Sequence, residues 1–272
     1  MVAFYRKYSY YLASLIKLAR DFRPVSLVIK IFLHQVPGGI YQINLPRLAL
    51  RLDVRGVMDI WSIKETLLDR FYERYGCPIQ DGWKIIDIGG GIGDFTILAS
   101  RDFPANQVIA YEPTPQSFTL LQSNLAANRV INAQAFNEAI WSSTGTLEID
   151  TSLGEPGQFV SKDRRGESAN GANSERGKVI VASIPFSEAF HRSGWQTVDL
   201  LKIDAEGAEY EILFNLPDEI LVKIQRMIME THDSLSRYTH VDLVKFLREK
   251  GFQVRHVVNV VHADLGYLYA ER

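Results

Sequence analysis

A short apolar run that ends in a glycine cluster constrains this chain more than any other stretch: Trp83-Lys-Ile-Ile-Asp-Ile-Gly-Gly-Gly-Ile-Gly-Asp-Phe-Thr, closing at Thr96. It reads as a buried strand, a tight turn and the start of a helix. Ile85, Ile86 and Ile88 suit a strand covered on both faces, and Gly89, Gly91 and Gly93 let the backbone turn sharply and approach a ligand without a Cβ in the way. The spacing restricts the ligand. A dinucleotide fingerprint needs Gly-x-Gly-x-x-Gly, but counting from Gly89 the sixth position is Asp94, and from Gly91 it is Thr96. The pattern present is Asp-x-Gly-x-Gly-x-Gly on Asp87, Gly89, Gly91 and Gly93. An acid at the strand end, with Asp94 entering the helix, repels a pyrophosphate and suits a ligand that carries an ammonium and a sulfonium.

Strands and helices alternate beyond the turn, which implies a parallel sheet. Gln107 to Tyr111 reads as the next buried strand and ends in Glu112 and Pro113. An acid at the tip of the adjacent parallel strand can reach a ribose bound at the first turn and accept from both hydroxyls, so Glu112 is the expected ribose clamp. Ala133 to Phe136 forms a third strand ending in Asn137 and Glu138, placed to reach an adenine edge. Thr146 to Asp150 and Lys178 to Ser183 read as a hairpin split by residues 151–177, a glycine-rich and weakly apolar insertion expected to be mobile. Val198 to Ile203 runs into Asp204, Glu206 and Glu209, and Ile224 to Met229 into Glu230 and His232. Phe252 to Val258 and Leu265 to Ala270 close the sheet as an antiparallel pair.

Upstream, residues 1–58 form a helical arm and a short β segment, distinct from a domain over 59–272. Phe4, Tyr8, Tyr11, Leu12, Leu15, Leu18, Ala19 and Phe22 recur at helical spacing. Arg6, Lys7, Lys17, Arg20, Arg23 and Lys30 stand against Asp21 alone, a formal +5 over residues 1–30. The arm can pack on the core or on a second subunit as a homodimer, and membrane-surface contact is a third use. Residues 40–56 alternate as a hairpin would, and Asp59 to Tyr75 reads as one helix.

Composition sets the remaining bounds. A net charge of −2 draws the protein to neither nucleic acid nor phospholipid as a whole. The single cysteine, Cys77, excludes an intrachain disulfide. No uncharged apolar run reaches the ~20 residues of a membrane-spanning helix, so the cytoplasm is the expected compartment.

Three motifs together resemble a family: Asp87-Ile-Gly-Gly-Gly-Ile-Gly-Asp-Phe-Thr, Ala110-Tyr-Glu-Pro-Thr-Pro followed by Phe118, Leu121 and Asn124, and Leu200-Leu-Lys-Ile-Asp-Ala-Glu-Gly-Ala-Glu ending at Glu209. The first resembles the leading motif of class I methyltransferases, and the set resembles the FkbM family, which uses S-adenosylmethionine. Glu230-Thr-His232 matches the Glu-x-His of that family's fifth strand. The resemblance implies a seven-stranded, mostly parallel Rossmann-like sheet with a reversed last strand, and methyl transfer to oxygen of a sugar, polyketide or related metabolite. One departure is Ser183-Ile-Pro-Phe, where the family commonly has Thr-Leu-Asp.

An alcohol acceptor calls for a base at the carboxyl ends of the strands, where Asp204, Glu206 and His232 are the candidates. His232 is the first choice because its ordinary pKa lies near 6.5; Asp204 can instead contact the ammonium of the cofactor. The set Asp204, Glu206, Glu209, Glu230 and His232 is rich enough in ligand atoms for a divalent cation, but no metal is expected because the first three straddle a strand-to-helix transition. The competing reading is a catalytically silent S-adenosylmethionine-binding interaction protein.

Overall fold

The computed structural model describes residues 2–151, 159–165, 177–259 and 265–272. Two helices, α1 (Val2–Asp21) and α2 (Val25–Phe32), lead into a hairpin of β1 (Tyr41–Leu45) and β2 (Leu50–Val54), paired from Tyr41↔Val54 to Leu45↔Leu50. The arm is two helices rather than one because Pro24 lacks an N–H and cannot continue α1. The expected single helix over 59–75 is also divided. It runs as α3 (Val57–Ile63), a π-helical turn over Lys64–Leu68, and α4 (Phe71–Tyr75), with Arg70 left-handed at φ 54° between them. Lys64 explains the disturbance: its buried ammonium bonds Asp69 Oδ2 at 2.6 Å and donates to the Tyr10 hydroxyl of the arm at 2.7 Å. That pairing wraps the chain tightly around the cation.

Next come β3 (Lys84–Ile88), α5 (Asp94–Arg101), β4 (Gln107–Tyr111), α6 (Pro115–Ala127) and β5 (Ala133–Phe136). They are followed by β6 (Ala139–Trp141), β7 (Gly145–Asp150), β8 (Phe159–Arg165), β9 (Lys178–Pro185) and α7 (Phe186–Ser193). The chain ends with β10 (Leu200–Ile203), α8 (Glu209–Phe214), α9 (Asp218–Leu221), β11 (Arg226–His232), α10 (His240–Glu249), β12 (Gln253–Val258) and β13 (Leu265–Glu271).

Seven strands form one sheet in the order β12-β13-β11-β10-β3-β4-β5, with only β13 reversed. This is the expected α/β, Rossmann-like arrangement. Alternate residues of each strand leave on opposite faces, so the sheet has two cores. Ile85, Val108 and Leu200 pack toward α5, α6 and the arm. Ile86, Ile109 and Leu201 pack toward α7, α8 and α10. Leu18, Phe22, Ile43 and Leu52 of the arm are buried in the first of these cores, so residues 18–54 and the sheet share one interior.

The expected hairpin is present as β7 and β9, in register from Gly145↔Ser183 to Asp150↔Lys178. It belongs to a larger second sheet, β6-β9-β7-β8. Within the insertion expected to be mobile, β8 pairs antiparallel with β7, which the β propensity of Phe159 and Val160 favours. The rest of that insertion, residues 152–158 and 166–176, lies outside the described residues.

Candidate functional site

The carboxyl ends of β3, β4, β10 and β11 open into one cavity of about 840 Å³, which also reaches the arm through Tyr10, Tyr11 and Phe32. The strand order reverses between β3 and β10, which leaves a crevice at the carboxyl edge, the position where open α/β sheets hold ligands.

At one end is the glycine turn. Gly89, Gly91 and Gly93 have φ of 75°, 53° and 90°, a region L side chains rarely enter. A Cβ on Gly89 would fall 1.7 Å from the Asp204 carbonyl oxygen, so this glycine is required by the close approach of β10. Gly91 instead faces open space within the cavity wall. Asp87, fully buried, accepts from the Thr96 hydroxyl at 2.6 Å and pairs with Lys202 Nζ at 3.0 Å. Lys202 in turn donates to the Gly89 carbonyl at 2.6 Å. Asp87 therefore braces the turn through Lys202 and does not line the cavity. Burial pulls the Lys202 ammonium down, but Asp87, Asp204 and Asp94 hold it protonated, above its ordinary range.

Glu112 does line the cavity, next to Pro113. Its Oε2 accepts from the Gly91 amide and its Oε1 from the Thr114 amide, both at 2.9 Å. The carboxylate is thus fixed beside the glycine turn. Asn137 and Glu138 are placed differently from the expectation of an adenine contact. The Asn137 amide donates to the carbonyls of Glu112 at 2.9 Å and Pro113 at 2.8 Å, and Glu138 pairs with Arg192 at 2.8 Å. Asn137 holds the Glu112 loop in place, while Glu138 is drawn toward α7; neither lines the cavity.

At the other end the tips of β10 and β11 bring Asp204, Glu206, Glu230 and His232 to the cavity. His232 is buried, with Nδ1 2.7 Å from Glu209 Oε1 and Nε2 3.4 Å from Glu206 Oε2. Burial lowers its pKa, but the charge and hydrogen bond of Glu209, with Glu206 and Glu230, carry it well above 6.5. Burial pushes Glu206 up to about 9 despite His232, and Glu230 up to about 8 with help from Asp204. Glu206 is also held at φ 49°, a strained backbone for a residue with a Cβ, and Gly207 follows at φ 94°. The Tyr72 hydroxyl, buried and raised well above its usual range, donates to Asp204 Oδ2 at 2.8 Å.

The chain that builds this cavity, with its glycine turn facing an acid–histidine cluster, has relatives. Residues 87–254 match the family described as Methyltransferase FkbM domain. This chain belongs to the FkbM methyltransferase family. It is 29% identical over 203 residues to Methyltransferase 1 of Beauveria bassiana, covering 70% of this chain and 80% of the relative. It is 28% identical over 211 residues to the 31-O-demethyl-FK506 methyltransferase FkbM of Streptomyces tacrolimicus, again 70% and 80%. A SAM-dependent methyltransferase of Agrobacterium tumefaciens shares its fold at a TM-score of 0.50 and 10% identity, covering 87% of this chain and 71% of that one.

Within this FkbM-family site, three groups were not assigned a site role from sequence. Lys202 carried a signal, since a lysine inside Leu200-Leu-Lys-Ile needs a buried counter-charge. Glu209 stands in the sequence only within a set of acids that could hold a cation, and Tyr72 on α4 has no local signal. Among the described residues, Asp204, Glu230 and His232 each bring one ligand atom within 4.8 Å of the others, close enough for a cation. Glu206 and Glu209, which the sequence grouped with them, sit on the two ring nitrogens of His232 instead.

Proposed function

We propose that this methyltransferase moves a methyl group from S-adenosylmethionine to a hydroxyl of a sugar, polyketide or related metabolite. The observation that carries the reading is that one cavity holds both a glycine turn flanked by a fixed carboxylate and a buried acid–histidine cluster. The residues fit the cofactor: Gly91 leaves open space beside Glu112, whose oxygens suit two ribose hydroxyls. Asp204, Glu206 and Glu230 offer a low-dielectric acidic wall where a cation is stabilised.

When bound, the cofactor supplies an electrophilic methyl group on a sulfonium. The chain's task is to hold the acceptor oxygen in line with that methyl and to take its proton. The Glu206–His232 pair would take the proton that the acceptor hydroxyl gives up as it is methylated. A cationic ligand nearby lowers the pKa of that pair and empties it for the transfer. Glu209 keeps the imidazole oriented throughout, and Tyr72 fixes Asp204 toward the cavity. The O-methyl specificity draws support from the Streptomyces relative, whose name gives an O-demethyl substrate.

The test is formation of S-adenosylhomocysteine, followed by mass spectrometry, when hydroxylated sugars and polyketides are supplied with S-adenosylmethionine. Glu112→Gln should weaken cofactor binding about tenfold by calorimetry, the loss of one charge-assisted contact. Tight binding without turnover on any such acceptor would leave a silent binding protein instead.

A further inference from the structure

The arm buries one face against the sheet and leaves the other without a partner. Ser14 and Leu18 of α1, and Phe22 just after it, point inward. On the opposite side Leu12, Leu15 and Ile16 are 62%, 57% and 61% exposed, at the i, i+3, i+4 spacing of a continuous helical stripe. Ile29 of α2 and Leu33 at its C-cap are 52% and 58% exposed. Scattered surface leucines need no explanation, but a stripe of this kind on two consecutive helices does.

Two further observations say what covers it. First, the stripe runs into the mouth of the cavity: Leu15, Met58 and Leu235 are exposed and also line it, and Phe32 of α2 lies just inside. The entrance is therefore rimmed by apolar side chains from three separate parts of the chain. Second, the charge on the arm has one sign. Between residues 10 and 40 the one acid is Asp21, which is buried and bonded to Arg20, whereas Arg20, Arg23 and Lys30 are exposed. A second copy docked by symmetry would set this basic surface against its own equivalent, which repels. An anionic lipid surface complements both the stripe and the charges. No helix among the described residues is long and apolar enough to cross a membrane, so the contact is with the surface.

We propose that α1 and α2 form an interfacial docking element that seats the cavity mouth on an anionic lipid surface, so that an acceptor held in that surface reaches the cavity without crossing water. The acceptor's route rests on the methyl-transfer reading, but the docking itself is measured without cofactor or acceptor, so its failure is distinguishable from the failure of that reading.

The experiment is flotation of the full chain with phosphatidylcholine vesicles and with vesicles in which phosphatidylglycerol replaces about a third of the lipid. The protein should float with the anionic vesicles and stay behind with the neutral ones. Leu12→Glu with Ile16→Glu, two residues outside the cavity wall, should reduce the floated fraction about tenfold while the thermal melt is kept. Arg23→Glu with Lys30→Glu should remove the preference for anionic lipid. Equal failure to float with either vesicle would overturn the proposal. So would light scattering that finds a dimer which Leu12→Glu with Ile16→Glu dissociates, since the stripe then belongs to a second copy.

Discussion

At the glycine turn the buried polar groups are matched inside the protein: Asp87 by Lys202 and Thr96, Glu112 by the amides of Gly91 and Thr114. At the β10–β11 tips they are not. Burial raises Glu206 to about 9 and Glu230 to about 8, and His232 is held between two carboxylates. The first end has settled its electrostatics during folding and can stay rigid around a ligand. The second keeps buried carboxyls whose protons an incoming cation would displace. Substitutions at the first end should therefore be read in stability, and substitutions at the second in turnover.

The largest effect is expected from Gly89→Ala. A Cβ 1.7 Å from the Asp204 carbonyl, at φ 75°, forces β3 and β10 apart. The loss should exceed about 3 kcal/mol in urea unfolding. Gly91→Ala is the control, because nothing lies within 4 Å of its Cβ and only the backbone conformation costs, about 1 kcal/mol. Equal stability of the two variants would break the claim that close strand approach dictates the first glycine. Lys202→Met comes next, at about 3 kcal/mol, since it leaves Asp87 buried without its counter-ion. Adding Asp87→Asn should recover part of that loss, and a purely additive double variant would show that the pair is not coupled.

The same contrast explains what could be read from the chain. The glycine turn is local: strand, acid, glycines and helix lie within fourteen consecutive residues, so spacing alone located it. The seven strands were legible because buried parallel strands are short apolar runs between helices. The placement of Asn137 and Glu138 was not, because position at a strand tip does not say which way a side chain leaves the sheet, and α7 with Arg192 is contributed from far downstream. Tyr72 meets Asp204 across 132 positions, which no pattern on α4 announces. The break at Arg70 was hidden for a related reason: the apolar periodicity of Ile60, Ile63, Leu67 and Phe71 continues through it, while its cause is an arm tyrosine meeting Lys64.

At the second end, His232→Gln should lower kcat about a hundredfold or more while cofactor affinity falls far less, because the proton acceptor is lost and the glycine turn is untouched. A cofactor affinity that drops in step with kcat would mean that the two ends are not separable and that His232 serves binding.

The smallest and most diagnostic effect is a shift in pH dependence on Glu209→Gln. The Glu209 carboxylate is the strongest of the groups that hold His232 above 6.5, against a burial that pulls it down. A base works when deprotonated, so the acid limb of kcat/KM for the native chain should lie above 6.5. Replacing the carboxylate with a neutral amide of the same shape leaves burial in control, and the limb should move to lower pH by about one unit or more, equivalent to about 1.4 kcal/mol per unit. The stability linkage runs with the opposite demand. A folded pKa raised above the unfolded value stabilises the native state fully below about 6.5, and that contribution is lost as pH rises through the folded value. Native protein should therefore lose melting temperature across that interval, and Glu209→Gln should show a flatter profile. A limb that stays in place while the stability profile flattens would make Glu209 a structural partner of His232 and would move the proton acceptor to Glu206.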